Sequence, residues 1–271
     1  MPRKSTFVGV DVGSREFTVA FHGVEDCQTF PNHAEGRRAL VKAIRSASGG
    51  RARIVLESTG PYGLDLAMEL NEVKRFEVIY INPRAAKALA SGGLVRAKTD
   101  RVDARQLAKM AADNQGQVWS PPAQHALQLR SATRMVRALV DERTRHKNRL
   151  HAAEATQVTP SFLLDELREV IKALDTRIES LRKQTLAFAR REASVAKQID
   201  LLKTIPGIAD TTAVEIVAEL KCLPRDLTPR QLVACAGLDP RTRQSGRTDA
   251  PRRISKMGSK HLRLALHFAA V

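Results

Sequence analysis

The sequence predicts an N-terminal α/β domain, a helical linker and a mostly α-helical C-terminal domain. Residues 1–118 alternate apolar β-forming runs with amphipathic helical stretches, which is typical of a sheet covered by helices. Residues 119–198 open on Trp-Ser-Pro-Pro, a boundary signal, and continue rich in Ala, Leu, Arg and Glu with helical periodicity. Residues 199–271 combine short helical patterns with a basic segment punctuated by Gly and Pro, and form the third part.

The N-terminal domain is predicted to begin with three adjacent strands joined by tight turns and to continue as strand–helix alternation. This order favours a sheet whose acidic residues gather at one end. The predicted strands lie near 6–12, 15–22, 26–30, 52–57 and 76–81, and the predicted helices near 34–47, 62–73, 83–91 and 99–113.

Four acidic residues of this domain are candidate metal ligands. Asp11 and Glu57 lie within or at the end of apolar strands, where an unpaired carboxylate is costly. Asp100 and Asp103 are three residues apart at the start of a helix and share one of its faces. Hard divalent ions such as Mg²⁺ or Mn²⁺ take oxygen ligands, and two such ions about 4 Å apart can clamp a phosphodiester displacement.

Each acid also has a structural interpretation, because an acid in a first helical turn often serves as a cap or dipole partner. The order of the four acids favours function: strand-Asp, strand-Glu and then an Asp-x-x-Asp helix resembles the RNase H-like nuclease fold in its RuvC-like version. The DDE transposases share that fold but carry their last acid, a Glu, on the final helix.

The charge of the chain indicates a nucleic-acid partner. Lys and Arg number 45 against 29 acids in 271 residues, a net charge of +16. The excess is spread out: residues 1–120 carry 18 bases and 13 acids, 121–200 carry 15 and 10, and 201–271 carry 12 and 6. A single basic tail does not explain this distribution. Aromatic residues are 4% of the chain, so we expect phosphate contacts to matter more than base stacking.

Other signals exclude several classes of site. Cys27, Cys222 and Cys235 show no paired metal spacing and are expected to be thiols in a reducing compartment. The seven histidines form no zinc-type cluster. No signal peptide and no apolar run near 18 residues is present, so we expect a soluble cytoplasmic protein without a membrane partner.

The linker is expected to form an antiparallel helical hairpin or an intersubunit coiled coil, with self-association as a homodimer or tetramer. A spacer with solvated charges is the structural alternative. The residues that carry the near-heptad seam are Leu164, Leu167, Ile171, Leu174, Ile178 and Leu181.

The C-terminal part holds two candidate nucleic-acid contacts. Residues 202–213 have the form of a helix-hairpin-helix turn, in which the backbone near Gly207 offers N–H groups to a phosphate; a plain αα-turn is the alternative. Residues 241–263 hold eight Lys or Arg and one acid. The candidate phosphate contacts there are Arg241, Arg243, Arg247, Arg252, Arg253, Lys256 and Lys260.

Ser245 lies among these arginines and is followed by a glycine. A serine hydroxyl is a poor nucleophile until a base or a metal takes its proton and cations hold the scissile phosphate. From local context alone it is a phosphate contact or a nucleophile.

The motifs together are specific. The chain carries V-G-V-D-V-G-S, L-E-S-T-G-P-Y and K-T-D-R-V-D-A-R-Q-L-A, followed by I-P-G-I, A-C-A-G-L-D-P-R-T-R-Q-S-G-R and I-S-K-M-G-S-K-H-L-R. Over essentially its whole length it resembles the bridge-RNA-guided recombinases of the insertion-sequence-110 transposase family.

That resemblance implies a RuvC-like DEDD domain with Asp11, Glu57, Asp100 and Asp103, a coiled-coil linker, and a transposase domain with Ser245 as the nucleophile. It also implies strand exchange between donor and target DNA through a phosphoserine, directed by a structured non-coding RNA in a prokaryotic cell. The chain stops inside an apolar helix, whereas such proteins usually continue further, so we expect a truncated or decayed copy.

Two other functions are compatible with the same sequence. A junction-resolving nuclease would use the same acids to activate water, and would leave the Q-S-G segment as a phosphate contact. A non-catalytic RNA- or DNA-binding protein with a relic nuclease fold would show no dependence on metal.

Overall fold

The computed structural model describes residues 6–58, 60, 62–83, 86, 99–241, 244–245, 248–249 and 253–270. The chain forms two compact units, Met1–Pro121 and Pro122–Val271. The helices of the expected linker and of the expected C-terminal domain belong to the same unit, and the boundaries at 118/119 and 198/199 stay predictions. Most of the helix predicted near 83–91 lies outside the described residues.

Five strands form a mixed sheet in the N-terminal unit, in the order β3-β2-β1-β4-β5. The first three strands pair antiparallel, whereas β1, β4 and β5 pair parallel. The five predicted strands are confirmed, as β1 (Thr6–Val12), β2 (Glu16–Phe21), β3 (Cys27–Pro31), β4 (Ala52–Glu57) and β5 (Phe76–Ile81).

Three helices of the described residues accompany the sheet, and all three were predicted. They are α1 (Ala34–Ser48), α2 (Leu64–Asn71) and α3 (Asp100–Ala112). The helix α1 begins where His33 Nδ1 accepts a hydrogen bond from the N–H of Gly36, and it ends at Gly49 with a φ of 56°. A glycine tolerates this left-handed conformation at a helix end without strain.

The alternation of side chains along the strands divides the core into two faces. Val8 and Val10 pack with Leu40 of α1 and Leu66 of α2 on one face. Val55 and Ile79 pack with Leu107 of α3 in a separate cluster. The sheet therefore has helices on both faces, and α3 covers the face that carries the odd-numbered residues of β1.

The described part of the C-terminal unit is mostly helical. Its helices are α4 (Gln124–Glu154), α5 (Ser161–Ala189), α6 (Ala193–Leu202), α7 (Asp210–Leu220), α8 (Pro229–Ala236) and α9 (Lys260–Ala270). Its short strands are β6 (Pro240–Arg241), β7 (Gln244–Ser245), β8 (Thr248–Asp249) and β9 (Arg253–Ile254).

The long helices α4 and α5 form an antiparallel hairpin within one chain. Arg143 of α4 pairs with Asp175 of α5 at 2.7 Å, and Glu154 at the end of α4 pairs with Arg168 near the start of α5 at 2.8 Å. Leu174 and Ile178 of the predicted seam are buried, and α5 packs along α4. The hairpin alternative is therefore confirmed, and the seam is used inside the chain. Among the described residues, none of the helices has the length and apolarity needed to cross a membrane.

Candidate functional site

The pairing of β1 with β4 brings two of the predicted acids to the same edge of the sheet. Val10 lies beside Leu56 in this parallel pair, so the residues that follow, Asp11 and Glu57, stand side by side at the ends of adjacent strands. Neighbouring strands are about 4.8 Å apart, and residues in register point to the same face. Both acids therefore point toward the face covered by α3.

Gly9 sets the distance between β1 and α3. A Cβ atom at this position would lie 2.0 Å from the carbonyl oxygen of Ala104 and 2.2 Å from the backbone nitrogen of Ala108. Real Cβ atoms do not approach other atoms so closely, so only glycine fits. The backbone of the strand thus rests directly on the backbone of the helix, and Ala104 and Ala108 are buried there.

This contact places the start of α3 level with Asp11. Asp11 lies two residues beyond Gly9 on the same face, a distance of about 6.7 Å along a strand. Asp100 precedes Ala104 by four residues on the same helix face, a distance of about 6 Å along the axis. Since Phe7 packs on the cluster that contains Met110, the helix runs opposite to the strand.

The first turn of α3 favours acidic side chains. The hydroxyl of Thr99 accepts a hydrogen bond from the N–H of Val102 at 3.3 Å, which caps the helix. Asp100 and Asp103 lie in this turn, where the positive end of the helix dipole stabilises anions. The capping interpretation and the functional interpretation of these residues are therefore compatible.

The electrostatics of Asp11 show that the three other acids lie close enough to act on it. Burial, and after it the charges of Asp100, Asp103 and Glu57 in that order, together raise the pKa of Asp11 from 3.8 to about 6. The structure thus brings all four predicted acids into one group, named here the acidic cluster. An ionised Asp11 is destabilised in this group unless a cation is bound.

The chemistry of the acidic cluster fits a divalent metal, although the chelating geometry is not formed. Within the described ranges, no three His, Cys, Asp or Glu side chains converge closely enough to hold an ion. The donors are carboxylates only, which suits Mg²⁺ or Mn²⁺. Burial and the charges of the three neighbouring acids disfavour an ionised Asp11, and such a cation would offset both effects.

Ser245 lies in a second candidate site, the serine loop, defined here as residues 240–254. Strand β6 pairs antiparallel with β9, and β7 pairs with β8 so that Ser245 is opposite Thr248. The predicted contacts Arg243, Arg247 and Arg252 lie outside the described residues, as does the side chain of Ser245.

The two ends of the serine loop are held together by a stem, defined here as residues 235–239 and 255–259. Asp239 accepts hydrogen bonds from the backbone N–H of Ser255 at 2.8 Å and from its hydroxyl at 2.5 Å. A Cβ at Gly258 would lie 2.0 Å from the carbonyl oxygen of Cys235 and 2.4 Å from the nitrogen of Gly237. The two segments therefore cross in backbone contact, which fixes the base of the loop.

Four of the predicted phosphate contacts surround this stem. Arg241, Arg253, Lys256 and Lys260 are exposed. None of the four pairs with an acid anywhere in the described part of the chain. Their charges are thus available to a polyanion near the serine loop.

Gly207 lies in the turn between α6 and α7, with a φ of 84° that favours glycine. The following helix begins with Asp210, whose carboxylate pairs with Lys203 at 2.8 Å. An acid therefore already lies at the positive end of α7. A phosphate contact at Gly207 stays a prediction.

Three residues that support these sites were not identified from the sequence. Gly9 is marked only by its place in an apolar strand and Asp239 by its place before Pro240. Glu219, which accepts a hydrogen bond from Ser259 of the stem, is one of three acids in α7. A buried acid needs a partner, but the sequence alone does not mark which of these three acids is buried.

The comparisons with known proteins cover both units. A model of the DEDD transposase domain of IS110 elements, described as a transposase, matches residues 8–156, and the transposase IS116/IS110/IS902 family model matches residues 199–271. The chain is 27% identical to the pilin gene-inverting proteins of Moraxella bovis and Moraxella lacunata over 272 residues, which is 98% of this chain and 82% of each relative. It is 32% identical over 104 residues to a probable family 20 transposase of Pseudomonas aeruginosa, which is 38% of this chain and 30% of that relative.

The first of these family matches alone spans more than half of the chain, and the second adds the serine loop and its stem. The chain therefore belongs to the IS110 family of transposases, which are enzymes that act on DNA.

Proposed function

We propose that this chain is the recombinase of an insertion sequence, which breaks and rejoins DNA through a covalent bond between Ser245 and a phosphate. One observation supports the proposal most strongly. The same chain has an acidic cluster around Asp11 and a serine loop whose base is held by the hydrogen bond between Ser255 and Asp239. Relatives named for inverting a pilin gene support rejoining of strands in addition to cutting.

The N-terminal unit is proposed to be RuvC-like. The mixed sheet supports this assignment, because an antiparallel β1–β2–β3 meander is extended by the parallel strands β4 and β5. The acids at the ends of β1 and β4, and at the start of a helix packed on them, agree with this fold.

The acidic cluster is proposed to hold Mg²⁺ or Mn²⁺ through Asp11, Glu57, Asp100 and Asp103. When bound, the ion would neutralise charge on the scissile phosphate and lower the pKa of an attacking hydroxyl. The protein's own contribution is to hold the four carboxylates at one sheet edge through the contact of Gly9 with α3.

The covalent step exchanges one phosphate ester for another. The oxygen of Ser245 loses its proton and bonds to phosphorus, and the bond from phosphorus to the 3′-oxygen breaks, so that oxygen takes up a proton as a 3′-hydroxyl. Attack by a second 3′-hydroxyl on the phosphoserine reverses these events and joins new partners. The phosphoserine conserves the bond energy, so no external energy source is needed.

The proposed partners are donor DNA, target DNA, a structured non-coding guide RNA and other copies of this chain. The net charge of +16 and the exposed bases beside the serine loop support polyanion binding. Since the seam of α5 packs on α4, self-association as a dimer or tetramer would use other surfaces of the hairpin. Val158 and Phe162, exposed where the two helices join, are available for it.

The test of function is a strand-exchange assay on a plasmid that carries donor and target sites, with RNA transcribed from the adjacent non-coding DNA. We expect joined junctions, a protein–DNA adduct and dependence on the RNA. A junction-resolving nuclease would instead leave free 5′-phosphate ends without any adduct, and a binding protein would leave the DNA intact. Either of these results would replace the proposed function.

The basic residues of the serine loop are expected to contact the DNA backbone and not the bases. Arg252→Ala combined with Arg253→Ala should weaken binding to all sequences and reduce the salt dependence of log Kd by about one unit per lost phosphate contact. The measurement is a salt titration of binding with two unrelated duplexes.

The matched control is Arg190→Ala with Arg191→Ala, an adjacent arginine pair whose first member is engaged by Asp200 at 2.7 Å. This control should change the salt slope little. An unchanged slope in the serine-loop variant, with affinity lost for one sequence alone, would show base recognition instead.

A further inference from the structure

Glu219 is a buried acid outside both proposed catalytic sites. It is 6% exposed on α7, whose other buried residues, such as Ile216 and Val217, are apolar. A buried carboxylate is costly unless its oxygens are hydrogen-bonded and its charge is paired. Its partners therefore explain why this position tolerates an acid.

Two other elements supply these partners. Arg134 of α4 donates from Nε to one carboxylate oxygen at 2.8 Å and from Nη2 to the other at 3.1 Å. Ser259 donates its hydroxyl to the second oxygen at 2.9 Å. Burial opposes ionisation of Glu219, but the hydrogen bonds and charge of Arg134, and the Ser259 hydroxyl, hold its pKa below the usual range.

Ser259 belongs to the stem of the serine loop. Its backbone N–H donates to the carbonyl of Cys235 at 2.7 Å, and its hydroxyl accepts the N–H of Leu262 at 3.2 Å in the first turn of α9. It directly follows Gly258, where no Cβ fits against Cys235 and Gly237. A displacement of Ser259 would therefore displace the crossing of the two stem segments.

Glu219 thus connects the long helix α4, through Arg134, to the base of the loop that carries Ser245. We infer that Glu219 is a positioning residue of the recombinase, which sets the serine loop relative to the α4–α5 hairpin through Arg134 and Ser259. This inference rests on the proposed role of Ser245.

A residue that only stabilised the fold would have the same contacts. The experiment therefore separates a positioning role from a stabilising role by removing the charge of Arg134 first and then the charge of Glu219 as well. Arg134→Met leaves Glu219 buried without its cation, and we expect the Tm to fall by about 5 °C or more. Adding Glu219→Gln removes the buried charge and should recover most of that loss. The amide of Gln still accepts from Ser259, but the rigid two-point link to α4 is absent.

The informative readout is the rate at which the double variant forms an adduct with a nicked DNA substrate. We expect at least a tenfold decrease relative to wild type, with the Kd for DNA unchanged within twofold and the Tm largely recovered. The matched control is Arg143→Met with Asp175→Asn, an ion pair of 2.7 Å between α4 and α5 that does not touch the stem. Its adduct rate should stay within twofold of wild type.

Recovery of the adduct rate together with the Tm would show a purely structural role and overturn the inference. Amide hydrogen exchange in the stem gives a second, independent measure, and we expect at least tenfold faster exchange at Ser255–Ser259 in the double variant. If the wild-type protein forms no adduct, the proposed function fails. In that case amide hydrogen exchange alone tests whether Glu219 positions the loop, and an unchanged rate of amide exchange in the stem would refute it.

Discussion

Asp11→Asn is expected to reduce DNA cleavage at least about 100-fold while leaving DNA binding within about twofold. Charge stabilisation by a metal at the reacting phosphate contributes several kcal/mol, and a 100-fold loss corresponds to about 2.7 kcal/mol. Asn keeps the size of the side chain but removes the charge that holds the ion. Asp100→Asn combined with Asp103→Asn should reduce cleavage similarly, since both carboxylates belong to the acidic cluster and their charges act on Asp11.

The same substitution should stabilise the protein when no metal is present. The pKa of Asp11 is raised to about 6 in the folded protein from 3.8, so ionisation is harder in the folded than in the unfolded state. The resulting penalty is absent below pH 3.8 and fully developed above about pH 6. We therefore expect Asp11→Asn to raise the free energy of unfolding by on the order of 1 kcal/mol at pH 7, after allowance for solvent screening, and by little at pH 4.

Asp113 provides a matched control, because it lies at the other end of α3, about 20 Å along the axis from Asp100. Asp113→Asn should leave cleavage and its metal dependence unchanged. Cleavage kinetics in Mg²⁺, Mn²⁺ and EDTA, with calorimetry of metal-free protein at several pH values, measure both effects. Wild-type cleavage by the Asp11 variant, or cleavage that persists in EDTA, would exclude the metal assignment.

The sheet and its acids were predictable because both depend on local sequence. Runs of apolar β-formers such as residues 6–12 and 52–57 are bounded by turn signals, and the resulting strands match the structure closely. Parallel neighbours bring their ends to one edge, so acids at the ends of two strands meet there. The sequence alone therefore groups Asp11 with Glu57.

The contacts that bring helices to these sites were not predictable in the same way. The glycine at position 9 is compatible with any strand, and only the position of α3 shows that a Cβ there would collide with Ala104. The heptad-like pattern of α5 is satisfied equally by a helix of the same chain and by one of another chain. Glu219 finds Arg134 across 85 positions of sequence, and no local pattern encodes such a partner.

Ser245→Ala is expected to abolish both the covalent adduct and strand exchange, while folding and nucleic-acid binding are retained. The substitution deletes the attacking oxygen, and the remaining catalytic groups cannot replace it in a transfer that needs a covalent intermediate. Ser245 lies between arginines, and the glycine that follows permits close approach of a DNA backbone. A loss of adduct of at least about 1000-fold is expected, and Tm should change by less than about 2 °C because the substitution removes one hydroxyl and leaves the backbone unchanged.

Two nearby serines are natural controls, because the structure gives each a different role. Ser255 donates its hydroxyl to Asp239, and Ser259 caps α9 and donates to Glu219. Each alanine variant should loosen the stem and slow the reaction, but should keep partial activity because the nucleophile remains.

The hydroxyl of Ser255, held at 2.5 Å from a carboxylate, is also the competing candidate for the attacking group. Trapping the adduct on a nicked suicide substrate and mapping the modified peptide by mass spectrometry separates the two. A phosphate ester on Ser255, or efficient adduct formation by the Ser245 variant, would move the nucleophile from the serine loop to its stem.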